Sequence, residues 1–226
     1  MAVTARKRIW GWWFFDWASQ PYNTLLLTFC FGPYFAEVAR SYFAAQGQAP
    51  ELAAASSQAY WTSAQTVTGF IIALLAPILG VMADSRGRKM PWIWLFSVMY
   101  VVGAFALWWT TPEMPTLFAT VLWFSIGFIG MELATNFTNA MMPGLASHDE
   151  MGKVSGTGFA FGYLGGVVAL FIFLLFFADD AKTGKTLIGL SPAFGLDAAM
   201  REGTRSVGPF TAIWFIVFIA SIIKIV

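Results

Sequence analysis

Charge is what this sequence has least of. Asp, Glu, Lys and Arg make up 11% of its 226 residues, against 58% hydrophobic residues. A soluble domain carries about a quarter charged residues. A surface this poor in charge cannot be covered by water alone, so lipid must cover much of it. Histidine is nearly missing. His148 stands alone in the polar stretch Ser147-His148-Asp149-Glu150 and reads as a solvated loop residue. Cysteine is as scarce: Cys30 lies inside an apolar run, which excludes an internal disulfide and a thiolate metal cluster. The net charge of +1 leaves no electrostatic footprint for nucleic acid. No Gly-x-Ser-Gly with a membrane histidine occurs, and no Gly-x-Gly-Asp pair. Gly184-Lys185-Thr186 lacks the upstream glycine of a phosphate loop, since position 179 is Asp. The chain therefore reads as no enzyme, with no metal and no cofactor.

Apolar runs are what the chain has in plenty. A membrane helix needs about 20 mostly apolar residues. Six spans answer, at about 10–39, 60–83, 91–110, 115–141, 154–178 and 209–226. The expected fold is all-α: a polytopic bundle of six transmembrane helices forming one domain over 1–226. Span one contains Pro21 and Pro33, and span two contains Pro77, so bends are expected there. The apolar run from Ile9 to about Ala39 is too long for a signal-peptide core. The last run is still apolar at Val226, with Lys224 close by and no polar tail after it. A fragment of a longer chain is the expectation. Aromatics reach 18%, and Trp10, Trp12, Trp13, Trp92, Trp94, Trp108 and Trp109 fall near span ends, where interfacial anchors belong.

Positive charge sets the orientation. Arg6, Lys7 and Arg8 precede span one, Arg86, Arg88 and Lys89 separate spans two and three, and Lys153 precedes span five. With the N-terminus inside, all of these face the cytoplasm. The links 41–59 and 179–208 then lie outside. The second has its basic residues balanced by Asp179, Asp180, Asp197 and Glu202. Pro192 to Arg201 is a candidate for a short interfacial helix.

The link between spans two and three, Gly80-Val-Met-Ala-Asp84-Ser-Arg86-Gly87-Arg88-Lys89, is the densest charge cluster. Gly80 allows another helix to approach closely, and Gly87 allows a tight turn. The three basic residues suit an anionic leaflet, at about 1 kcal/mol each. Asp84 lies near a helix C-terminus, where a carboxylate opposes the macrodipole and needs a partner. A conformational latch and a plain positive-inside turn both fit this spacing.

Polar residues inside the spans form two trios, Asp16, Gln20 and Asn23 in span one and Glu132, Asn136 and Asn139 in span four. Spacings of four and three put each trio on one helix face. Asp16-x-Ala18-Ser19-Gln20-x-x-Asn23 parallels Glu132-x-Ala134-Thr135-Asn136-x-x-Asn139. Antiparallel spans carrying matched segments are what an inverted three-plus-three repeat produces. An ionisable group deep in a bilayer faces a cavity or a partner. The six residues are candidates for a central cavity offering donors and acceptors to a polar solute, with Glu132 the proton-coupling candidate. Interhelical hydrogen bonding for assembly is the plainer alternative. In span five Gly158, Gly162, Gly165 and Gly166 share a face, which suits close helix packing in lipid, static or sliding.

Gly80, Asp84, Gly87, Arg88 and Lys89 together resemble the cytoplasmic signature of the major facilitator superfamily, departing from it at Ser85, where the family carries Arg or Lys. Trp12-Trp13-Phe14-Phe15-Asp16-Trp17-Ala18 and Val154-Ser155 to Gly165-Gly166 are similar to the opening and fifth-helix segments of its autophagy-type vacuole effluxer branch. The resemblance implies a twelve-helix transporter in two halves. This chain would be the N-terminal half, with a C-terminal six-helix half as partner. It also implies amino acids as the substrate class. The arginine found in the fourth helix of many proton-coupled members is absent, as is the proline of the exporter signature. The expected function is secondary transport of a small polar solute by alternating access, in a bacterial inner membrane. The alternative is a non-transporting scaffold or assembly protein, with the lipid bilayer as partner in either case.

Overall fold

Proline decides where the first span breaks. Pro21 has no N–H for the carbonyl of Trp17, and Trp214 Nε1 donates to that oxygen instead, at 3.3 Å. In the computed structural model, which describes residues 5–86, 89–113 and 115–223 (side chains excepted at 5, 84–86 and 220–223), span one is three pieces. Helix α1 covers Ala5–Ser19, a π-helical segment covers Tyr22–Phe29, and α2 covers Phe31–Ala45. The π segment ends at Cys30, whose N–H bonds five residues back to Leu25 O at 2.9 Å. Span two is α3, Pro50–Arg86, and span three is α4, Met90–Ala106, continued by a 3-10 turn to Trp109. Span four is α5, Leu117–Asn139, and span five is α6, Met151–Phe176. A short α7, Glu202–Arg205, leads into α8, Val207–Ile223. Among the described residues there is no strand.

Two expectations for the links do not hold. Residues 41–59, read as an external link between spans, are almost wholly helical, because α2 runs to Ala45 and α3 starts at Pro50. Alanine is the best helix former, Pro50 stands at the helix start, where its missing N–H costs nothing, and Glu51 suits the first turn. Pro192 to Arg201 forms only a single 3-10 turn, Ala193–Gly195. Phe194 and Arg201 sit at φ 59° and 53°, left-handed values that stop a helix on either side. Residues 224–226, including Lys224, lie outside the described residues.

Among the described residues, four helices are long and apolar enough to cross a membrane: Pro50–Ala83, Met90–Trp109, Leu117–Gly144 and His148–Phe176. The protein is an integral, multi-pass membrane protein. Helix α1 packs on α6 and α8, α5 packs on α4 and α3, α4 packs on α8, and α2 packs on α3. The arrangement is antiparallel. Trp12 Nε1, near the start of α1, donates to Thr138 O, near the end of α5. Trp13 Nε1 donates to Val154 O at the start of α6. Arg8, Met90 and Met141 line one cavity. The starts of α1, α4 and α6 and the end of α5 therefore share one end of the bundle, which gathers Arg8, Lys89 and Lys153.

Glycine sets the closest approach inside the bundle. A Cβ at Gly103 of α4 would collide with the backbone of Gly127 in α5, and one at Gly130 with the backbone of Phe96 and Tyr100. Tyr22, fully buried, crosses the same seam and donates from its hydroxyl to Phe124 O at 2.7 Å. Small residues serve this purpose in lipid, where packing rather than water exclusion holds helices together. The flanks are another matter: only 11% of the apolar window of α3 is buried, against 50% for α5.

Candidate functional site

The glycine face of α6 receives helix α1 residue by residue. Trp12 and Trp13 fill the notch at Gly158, the Asp16 carboxylate lies over Gly162, Trp17 over Gly165, and Gln20 with Thr24 over Gly166. A Cβ at any of the four would meet these groups. All four glycines are buried. Asp16 and Gln20 are thus held in a helix seam.

Asn23 goes elsewhere. Its Nδ2 donates to Met131 Sδ of α5 at 3.8 Å, and Thr135 Oγ1 reaches the same sulfur at 3.9 Å. Thioether sulfur is a weak acceptor, so these bonds hold little and exchange readily. The separation has a geometric cause. Asn23 lies in the π-helical segment, whose wider turn advances the chain through less rotation per residue. The single face expected from α-helical spacing of 16, 20 and 23 is lost after Pro21. Wide turns of this kind occur frequently at functional sites.

The trio of α5 faces outward. Glu132 is half-buried, while Asn136 and Asn139 are exposed. Asn136 lines a groove with Ala76 and Gly80 of α3, Lys89, and Ala140 at the α5 C-terminus. Lys89 Nζ donates to Ala140 O at 2.9 Å, which puts a cation on the negative end of the α5 dipole. Gly80 makes no close helix contact, for no atom lies within 4 Å of a Cβ built there. Its neighbour across the groove stands too far off, which corrects the close approach expected at that glycine. Of the remaining motif residues, Asp84 and Arg86 are described only as α3 backbone, while Gly87 and Arg88 lie outside the described residues. Further along α3, Gln58, Thr62 and Thr66 recur at intervals of four, all exposed; Gln58 lines a separate cavity with Glu37 and Arg40 of α2, and the Thr62 and Thr66 hydroxyls bond carbonyls of α3 itself. Among the described residues neither the Asp16 nor the Glu132 carboxylate forms an ion pair or hydrogen bond.

At the opposite end of the bundle lies a cluster that charge counting passes over. Asp179, 5% exposed, accepts from Thr204 N at 2.6 Å and Thr204 Oγ1 at 2.9 Å. Arg201 pairs with Asp179 at 3.5 Å and with Glu37 of α2 at 3.3 Å. Arg205 is buried, donates from Nε and Nη2 to Trp108 O at 3.0 and 2.6 Å, and stacks on the Trp108 ring. The cluster ties the ends of α2, α4, α6 and α8. In the sequence these charges looked balanced and solvated. The signal that could have singled them out is acid and base placed at the two edges of an apolar loop.

No protein-family model matches the chain. The chain is 29% identical over 162 residues to a Bacillus subtilis (strain 168) protein described as an uncharacterized MFS-type transporter, YxiO. That alignment takes in 72% of this chain and 36% of the relative. The fold is similar to that of the xylose transporter XylE from E. coli in an inward-open conformation, with a TM-score of 0.62 at 16% identity. The match covers 98% of this chain and 47% of XylE. The chain spans about half the length of that transporter and has the fold of half a major-facilitator-type bundle.

Proposed function

We propose that this chain is one six-helix half of a secondary transporter of the major facilitator type, moving a small polar solute by alternating access. The observation that carries the reading is the groove between α3 and α5, into which Asn136 and Lys89 bring polar groups, on a fold that matches half a transporter. Asn136 and Asn139 stand exposed in the last turns of α5, where an unpartnered amide facing lipid would cost several kcal/mol. A water-filled path between this half and a second six-helix half resolves that cost. In this reading Glu132 carries the coupling proton, and Asn136, Asn139 and Asn23 offer donors and acceptors to the solute. Amino acids are the substrate class suggested by the resemblance of the Trp12–Ala18 and Val154–Gly166 segments. The helix packing supports an inverted repeat, since α1 on α6 and α8 has its counterpart in α5 on α3 and α4. The end that gathers Arg8, Lys89 and Lys153 is cytoplasmic by the positive-inside rule, in a bacterial inner membrane.

The test is solute flux in proteoliposomes holding the whole transporter, with amino acids as the first probes. Wild type is expected to accumulate solute when a pH gradient is imposed. Glu132→Gln is expected to lose gradient-driven accumulation while keeping solute exchange. Unchanged pH-driven accumulation in that variant would remove Glu132 from the coupling step, and absence of any solute flux in wild type would argue against transport itself.

A further inference from the structure

The connection between α6 and α8 is apolar where an aqueous loop would be polar. It begins with a hydrated turn. Asp180 accepts from the N–H groups of Thr183 and Lys182 and from the Thr183 hydroxyl, which together hold its carboxyl below the usual aspartate range. It closes at the buried Asp179–Arg201 pair. Between these the chain reads Leu187-Ile188-Gly189-Leu190-Ser191-Pro192-Ala193-Phe194-Gly195-Leu196. Leu187 is 68% exposed and Phe194 90% exposed.

The backbone shows where this stretch goes. Leu187 N donates to Leu174 O at 3.2 Å, and Leu174 lies in the last turn of α6. The chain has therefore returned to the helix end and satisfies one of its terminal carbonyls instead of rising away from it. Thr186 N bonds Leu190 O and Gly189 N bonds Thr186 O, each at 2.8 Å, so the returning turn satisfies much of its own backbone. Phe194 holds a left-handed φ of 59°, uncommon for a bulky residue, and its ring stands next to Phe177 at 5.9 Å. Beside it runs a groove lined by Phe105, Trp108, Phe177, Phe210 and Ile213. These belong to α4, the end of α6, and α8, away from the α3–α5 groove that holds Asn136. The loop's apolar surface is continuous with exposed residues of the spans themselves, Phe176 on α6 and Ile213 on α8.

We infer that residues 187–196 form a wedge that sinks into the lipid leaflet at this end of the bundle, with phospholipid acyl chains as its partner. The inference rests on the membrane-embedded reading of α6 and α8. Exposed apolar area of this kind favours contact with acyl chains, and aromatic rings favour the headgroup boundary. Asp180, Lys182, Lys185 and Asp197 bracket the wedge and mark the water level. The clamp of Asp179, Arg201 and Thr204 fixes its base, so the wedge moves with the helix ends it joins.

The experiment reconstitutes the full chain in vesicles of phosphatidylethanolamine and phosphatidylglycerol, with the buried Cys30 left in place. An environment-sensitive fluorophore is attached at Leu187→Cys or Phe194→Cys. Lys182→Cys serves as the water control and Phe171→Cys as the lipid control. Quenching is read with nitroxide-labelled lipid and with aqueous iodide. The expected result is strong nitroxide quenching and weak iodide quenching at 187 and 194, with the reverse at 182. Iodide quenching at 187 and 194 equal to that at 182 would overturn the wedge. Shielding of 187 and 194 from both quenchers would mean that protein covers this face, and would overturn the lipid assignment. Iodide access at 171 would break the membrane reading of α6, and the wedge with it.

Discussion

Helices α1 and α5 carry the same polar pattern and put it to opposite ends. Asp16 and Gln20 of α1 are pressed against the glycine notches of α6, whereas Asn136 and Asn139 of α5 stand exposed, Asn136 beside a groove. The cause is the neighbour each helix meets. Helix α6 offers Gly158, Gly162, Gly165 and Gly166, and α1 closes onto it. Helix α3 offers Gly80 at a distance, so α5 stays open there, although Thr68 Oγ1 of α3 bonds Ser125 Oγ in the first half of α5 at 2.7 Å. Similar polar segments thus meet a glycine-notched seam on one side and an exposed face on the other. In the transporter proposed above, one packed pair would serve as scaffold while the other faces the solute.

The largest expected effect separates the two sides by packing. Gly162→Leu forces a side chain into the Asp16 carboxylate and is expected to cost about 3 kcal/mol or more, the upper range for overpacking. Thermal unfolding of the detergent-solubilised protein would show it as a marked fall in Tm. Gly80→Ala is expected to leave Tm unchanged or raise it slightly, by less than about 1 kcal/mol, because it improves helix propensity at an open site. Equal destabilisation by the two changes would break the comparison.

A smaller effect tests the break in α1. Trp214→Phe keeps an aromatic ring and removes, with the rest of the indole, the donor to the carbonyl that Pro21 leaves unpaired. The expected cost is about 1 kcal/mol, the net value of one hydrogen bond. The same substitution combined with Pro21→Ala is expected to cost less than the sum of the two, since the restored N–H can take the donor's place. Strict additivity in that double-mutant cycle would disconnect Trp214 from the kink.

Much of this was legible in the sequence, for physical reasons. Apolar runs of membrane length marked four helices that are long and apolar enough to cross, among the described residues, because only helices and closed barrels satisfy their backbone in lipid. The α6 glycines were legible because removing Cβ at helical spacing has few other uses in a membrane. The α4–α5 seam escaped because Gly103 stands alone in its helix, and Gly127 and Gly130 make sense only opposite it. The fate of Asn23 was hidden because a π turn changes the angular spacing on which the face was counted. Arg201 and Arg205 escaped because charge balance along a link says nothing of burial. The extension of α3 back to Pro50 shows polar, alanine-rich sequence continuing a helix beyond its apolar part.

The most direct measurement compares thiol accessibility at two positions in membranes. Asn136→Cys and Gln20→Cys would be treated with a membrane-impermeant, charged thiol reagent added from either side. Cysteine at 136 is expected to react from the cytoplasmic side, and an excess of transported solute is expected to slow it. Cysteine at 20, held against Gly166, is expected to stay unreactive from both sides. Reaction at 20 as fast as at 136, or no reaction at 136 from either side, would contradict the claim that α5 lines the path while α1 is sealed into the scaffold.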